Sequence, residues 1–143
     1  MKPCPECGAP ETACEARYHE CLALEFGDPG YGAVHHLTVA AYMLQHSSKL
    51  TRTGWLEMRQ LLHAFLVENQ APVAIRQQNK EKLDSGKRQF QIKSKTGERI
   101  IAKSSWTKTI CDVRTEDAER YRADVTEWAR AALAESAGIE QAQ

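Results

Sequence analysis

Cys4-Pro5-Glu6-Cys7-Gly8, close to the start of the chain, constrains the fold more than any other stretch. Two cysteines flank Pro-Glu, and a glycine follows. Such a turn aims backbone amides at the sulfurs, while the glycine tolerates the positive φ that closes it. A knuckle of this kind supplies half of a tetrahedral zinc site, and a further thiol, Cys14, follows soon after. The chain has five cysteines, an odd number that suits reduced thiols around a metal better than a disulfide framework. A structural zinc is therefore the expected cofactor, and the cytoplasm the expected compartment. The first residues form a cysteine turn where a signal peptide would carry an apolar core, and no apolar run approaches the roughly 20 residues that cross a bilayer. No membrane partner is expected.

At 143 residues the sequence suits a single domain, 1–143, with a substantial core. Its net charge of zero conceals segregation. Residues 1–75 carry 5 Lys+Arg against 8 Asp+Glu, residues 76–103 carry 9 against 3, and residues 104–143 carry 5 against 8. The basic character sits in one central stretch.

The expected fold is mainly α: a small helical bundle with an N-terminal zinc knuckle and a short β-hairpin. Residues 1–14 form the knuckle and linker, 12–83 a helical core, 88–103 a basic hairpin and 104–135 a C-terminal helical part. Thr12 and Glu15 make a capping box for a first helix that runs to Phe26, with Tyr18, Cys21, Leu22 and Phe26 on its apolar side. Gly27-Asp28-Pro29-Gly30 ends it. A second helix spans Ala33 to His46 on the stripe Val34, Leu37, Ala41 and Leu44. A third follows Thr53 with Trp55, Met58, Leu62 and Phe65 inward, and Pro72 opens a more polar fourth. Around Ser94–Glu98 the period changes to that of a hairpin. Trp106, Ile110 and Val113 fit either a short helix or a third strand. A last helix runs from Thr115 to Glu135 on Ala118, Tyr121, Val125, Trp128 and Ala132, stopped by Ser136-Ala137-Gly138.

A closed zinc site wants four N or S ligands. Cys4 and Cys7 are two. Cys14 lies in the first helical turn, where free backbone N–H groups favour a thiolate. A short loop makes helices one and two antiparallel, which returns His46 to the level of Cys14. Cys4, Cys7, Cys14 and His46 are thus the expected ligands. Cys21 lies two turns from Cys14 and His19 on the far side of the helix; Cys21 and Cys111 read as small buried hydrophobes.

The same packing gathers Glu25, Asp28, His35, His36 and, from the third helix, His63 at the opposite end. They are a candidate second metal site or acid–base pair, against the plainer reading of histidines that cap helix ends; no HExxH spacing is present. In the basic stretch, Lys87, Arg88, Lys93, Lys95 and Arg99 are candidate nucleic-acid contacts, with Phe90 and Trp106 nearby for stacking. The alternative is a solvated hairpin edge guarded by lysines. There is no Walker loop, GxGxxG or GxSxG, so nucleotide-binding and α/β-hydrolase readings have no residues to stand on.

CPECGA at 4–9, Cys14, LALEF at 22–26, VHHLTV at 34–39, Tyr42, LQH at 44–46, TICDV at 109–113 and Trp128-Ala129 follow one another closely. In this the sequence resembles an uncharacterised bacterial family, domain of unknown function 5946, whose members pair a CPxCG turn with an HxLTVxxYxxQH helix. The resemblance places Cys4, Cys7, Cys14, His36 and His46 on motif positions and leaves His19 and Cys21 off them. It keeps His36 as an alternative fourth ligand. It implies no assigned activity.

Three function classes follow. The first is a small zinc-stabilised binding or adaptor module with a protein partner, which needs the fewest assumptions. The second is a nucleic-acid-associated protein using residues 76–103, and the third a metal-dependent enzyme using Glu25 and His36.

Overall fold

The computed structural model describes residues 4–10, 13–69 and 106–142. There are five α-helices among these residues, and in all but the shortest of them apolar side chains recur at three- and four-residue steps. They are α1 (Ala13–Gly27), α2 (Pro29–Gly32), α3 (His35–Gln45), α4 (Arg52–Leu66) and α5 (Ala118–Ala142), with 3-10 turns at Ser47–Lys49 and Ile110–Asp112. The helix expected from Pro72, the hairpin at 88–103 and the candidate contacts Lys87, Arg88, Lys93, Lys95 and Arg99 lie outside the described residues. Among those that are described, no helix is long and apolar enough to cross a membrane.

α3 lies at the centre and packs on both α4 and α5. Leu37, Ala41 and Leu44 of α3 meet Trp55, Met58 and Leu62 of α4 and Tyr121, Val125, Trp128 and Ala132 of α5, all of them buried. These are the stripes read from the sequence. Each tryptophan also satisfies its indole N–H, as a buried Trp must. Trp55 donates to the Leu44 carbonyl at 3.1 Å, Trp128 to Gln45 Oε1 at 3.0 Å and Trp106 to the Glu6 carbonyl at 3.1 Å. Gln45, fully buried, uses its other end to donate to the Lys108 carbonyl at 2.7 Å. One amide thus ties α3 to α5 and to the segment entering Ile110–Asp112.

Four local expectations need correction. The inward face of α1 is Cys14, Tyr18, Cys21 and Glu25, so Phe26, assigned to the apolar side, stands 78% exposed. Asp28-Pro29 does more than end α1. Asp28 Oδ1 accepts the Gly30 N–H at 2.8 Å with Pro29 at the first helical position, which starts the extra turn α2 and delays the next helix to His35. α4 starts ahead of Thr53, because Thr51 caps it by accepting the Gly54 N–H at 2.9 Å. α5 begins at Ala118 and passes through Gly138 to Ala142. A single interior glycine costs a helix only about 1 kcal/mol, too little to stop one anchored by this much burial. Of the two readings of the segment around Ile110 the short helix holds: Ile110–Asp112 is a single 3-10 turn, closed by Thr109 and Asp112 as a capping box.

α2 brings the chain back so tightly that a Cβ on Gly32 would meet the Glu25 carbonyl oxygen at 2.7 Å. That neighbour is backbone and cannot swing aside. Gly32→Ala is therefore expected to destabilise the fold by about 1–3 kcal/mol in urea unfolding. An unchanged midpoint would mean that α2 shifts freely.

Candidate metal centre

The knuckle forms as its sequence dictates. Gly8 takes φ 85°, a left-handed conformation natural to glycine, and its N–H closes the turn on the Cys4 carbonyl at 2.9 Å. The Ala9 N–H points at Cys7 Sγ, 3.4 Å away, and the Cys4 N–H donates back to the Ala9 carbonyl. The Glu6 carboxylate accepts the Ser48 N–H at 2.8 Å, which docks the knuckle on the segment following α3. Cys4, Cys7 and Cys14 are all buried, at 9%, 1% and 4% exposure.

His46 follows the last residue of α3. Its Nδ1 lies 2.9 Å from the Tyr42 carbonyl oxygen, to which it donates. A neutral ring fixed in that tautomer carries its lone pair on Nε2. Nε2 is buried and has no hydrogen-bond partner. The candidate ligand atoms of Cys4, Cys7, Cys14 and His46 all lie within 4.8 Å of one another. Zinc bond lengths place tetrahedral sulfurs about 3.8 Å apart, so the set closes on an ion with small adjustments. The donor chemistry fits as well: three sulfurs and one imidazole nitrogen whose lone pair is otherwise orphaned.

Electrostatics explain what such an ion would do. Burial pushes the Cys7 thiol well up, and the charges of Cys14 and Cys4 add to this. Burial also raises Cys14, followed by its contact with Cys4, so the helix N-terminus does not by itself make Cys14 a thiolate. For Cys4 burial acts upward too, but the amides of Cys7 and Glu6 and the neighbouring thiols outweigh it and bring the group down. Crowded sulfurs do not all ionise alone; a divalent cation is what removes their protons. Burial lowers the His46 pKa, which keeps the ring neutral and able to ligate.

The second predicted group assembles differently. Glu25, whose side chain is fully buried, accepts from His35 Nδ1 at 2.7 Å, from Thr38 Oγ1 at 2.6 Å and from the Tyr121 hydroxyl. His36 turns the other way and packs edge-on against Phe65 of α4, centroids 4.4 Å apart. His63 is exposed on α4, and Asp28 is committed to the Gly30 N–H. Among the described residues, Cys4, Cys7, Cys14 and His46 form the one group placed to hold a metal. In the HxLTVxxYxxQH pattern the leading histidine is in fact His35, with His36 in the free position, and His35 is the ring that meets Glu25. Thr38 and Tyr121 were missed. The first is one helical turn from His35 and was legible; nothing local announced the second, 96 residues from Glu25. Cys21 is fully buried, as expected of a small hydrophobe, and Cys111 partly so.

The two ends are joined by a ladder. Cys14 faces His46; one turn on, Tyr18 stacks flat on Tyr42 with centroids 3.8 Å apart; further along, Glu25 faces His35. Each rung moves forward on α1 as it moves back on α3, the signature of the expected antiparallel pair.

Neither the curated proteins nor the solved structures contain a match to this chain. A family model does match, over residues 2–137, and it carries the CPxCG turn, both ends of the ladder and most of α5 within its bounds. The chain belongs to that family, a family of unknown function (DUF5946).

Proposed function

We propose that this chain is a small zinc-stapled binding module: one zinc ion held by Cys4, Cys7, Cys14 and His46 fixes the N-terminal turn against α1 and the end of α3, and the surface so fixed receives a protein partner. The observation that carries this reading is the buried, unpartnered His46 Nε2 beside three thiols. Sulfur and imidazole donors suit zinc, whereas calcium and magnesium take oxygen. Four protein donors leave no position open for a water or a substrate, which makes the ion structural. When bound, it supplies a cross-link. The protein does the rest: the Tyr42 carbonyl sets the His46 tautomer, and Ala9 and Ser48 hold the knuckle in register.

Elemental analysis of the reduced, purified chain tests the reading. About one zinc per chain is expected. His46→Ala should lower that content and sensitise the fold to chelators. His19→Ala, on the exposed side of α1, should change neither. A metal-free preparation that melts cooperatively and ignores strong chelators would overturn the proposal.

A further inference from the structure

The geometry points to the groove beside the metal centre as the recognition site, and to an arginine- or lysine-bearing segment of a partner protein as its occupant; this rests on the binding-module reading above. The groove holds about 450 Å³ between the start of α1 and the end of α3. Tyr18, Tyr42, Met43 and Leu50 line its walls, with Glu6 and Glu15 beside them. Tyr42 is sandwiched between Tyr18 at 3.8 Å and His46 at 4.0 Å, so the aromatic wall is stiff and continuous with a proposed metal ligand.

Charge decides the occupant. Among the described residues no lysine or arginine lines the groove, and the His19 ring there sits 3.8 Å from Glu15. Glu6 is held in place by the Ser48 N–H at 2.8 Å and retains acceptor capacity beyond that bond. Three thiolates around a divalent cation leave a further net negative charge behind the wall. A phosphate backbone would be repelled. A long aliphatic stem ending in a guanidinium or ammonium group matches every part: tyrosine edges and the Met43 thioether for the methylenes, carboxylates for the charge.

The test uses the zinc-loaded full chain and two blocked peptides, Gly-Arg-Arg-Gly and Gly-Gln-Gln-Gly, with the Met43 methyl NMR signal as readout. The arginine peptide should give a saturable shift that weakens with salt, and the glutamine peptide none. The double variant Glu6→Gln/Glu15→Gln should weaken binding about three- to tenfold at equal zinc loading, because an amide oxygen at position 6 can still accept the Ser48 N–H while the charge is gone. Equal response to both peptides, no saturation, or full affinity in the double variant would overturn the proposal. Binding that emerges only in Lys93→Glu/Lys95→Glu would assign the groove to the chain's own basic stretch and overturn the partner. A chain that holds zinc but ignores the arginine peptide sinks this inference alone; a chain that holds no zinc removes the reading beneath it.

Discussion

If the proposed zinc staple holds, Cys7→Ser is expected to lose most of the zinc and to destabilise the fold by about 4 kcal/mol or more. An ion shared by Cys4, Cys7 and His46 closes a loop of some forty residues, and a covalent cross-link of that span restricts the unfolded chain by about 4 kcal/mol. Coordination adds to this, because a site that exists only in the folded state converts metal affinity into folding energy. A serine hydroxyl stays protonated near neutrality and does not replace the thiolate. Steric change is not the cause, since Ser is slightly smaller and the Ala9 N–H keeps an acceptor. Urea unfolding with and without a chelator checks the result. The parent should fall toward the variant when chelated, and the variant should not respond. Cys111→Ser, at a half-buried thiol outside the cluster, is the control and should shift stability by under about 1 kcal/mol. Equal midpoints for parent and Cys7→Ser would remove the staple.

Glu25→Ala should be nearly as damaging through unrelated physics. It leaves the buried Tyr121 hydroxyl and His35 Nδ1 without this acceptor, returns the Thr38 hydroxyl to the Val34 carbonyl 3.2 Å away, and opens a cavity. Removing one member of a buried charged network costs about 3–5 kcal/mol. Glu25→Gln keeps one acceptor oxygen but presents an NH2 group where a donor already stands, and should cost about 1–3 kcal/mol. Neither change touches the thiols, so the folded fraction should keep its zinc. That separates the two experiments. A Glu25→Ala midpoint within about 0.5 kcal/mol of the parent would show that the three donors find other partners.

The clustering of Cys4, Cys7, Cys14 and His46 was legible because each of these candidate ligands sits where a local rule places it. A CPxCG turn fixes two sulfurs, a helix start fixes Cys14, and one short connection makes antiparallel packing the natural arrangement that returns His46. The Glu25 end was less so. Periodicity sorts residues by polarity, so it placed Phe26 inside and gave no reason for Glu25 to be buried. Three donors together make a carboxylate tolerable there, and one of them, Tyr121, arrives from the far end of the chain. Asp28-Pro29 and Gly138 failed for a related reason. Both are helix signals that can be read two ways, and tertiary contacts choose between them.

The placing of the three indoles has an optical consequence. Trp55 and Trp128 are pinned in the core at the end of α3, while Trp106 rests on the knuckle itself through the Glu6 carbonyl. Loosening of the knuckle would release Trp106 into water before the other two, and its emission would move to longer wavelength while theirs stayed put. Intrinsic fluorescence followed during chelation therefore resolves local opening from global melting, and Trp106→Phe should silence the early phase.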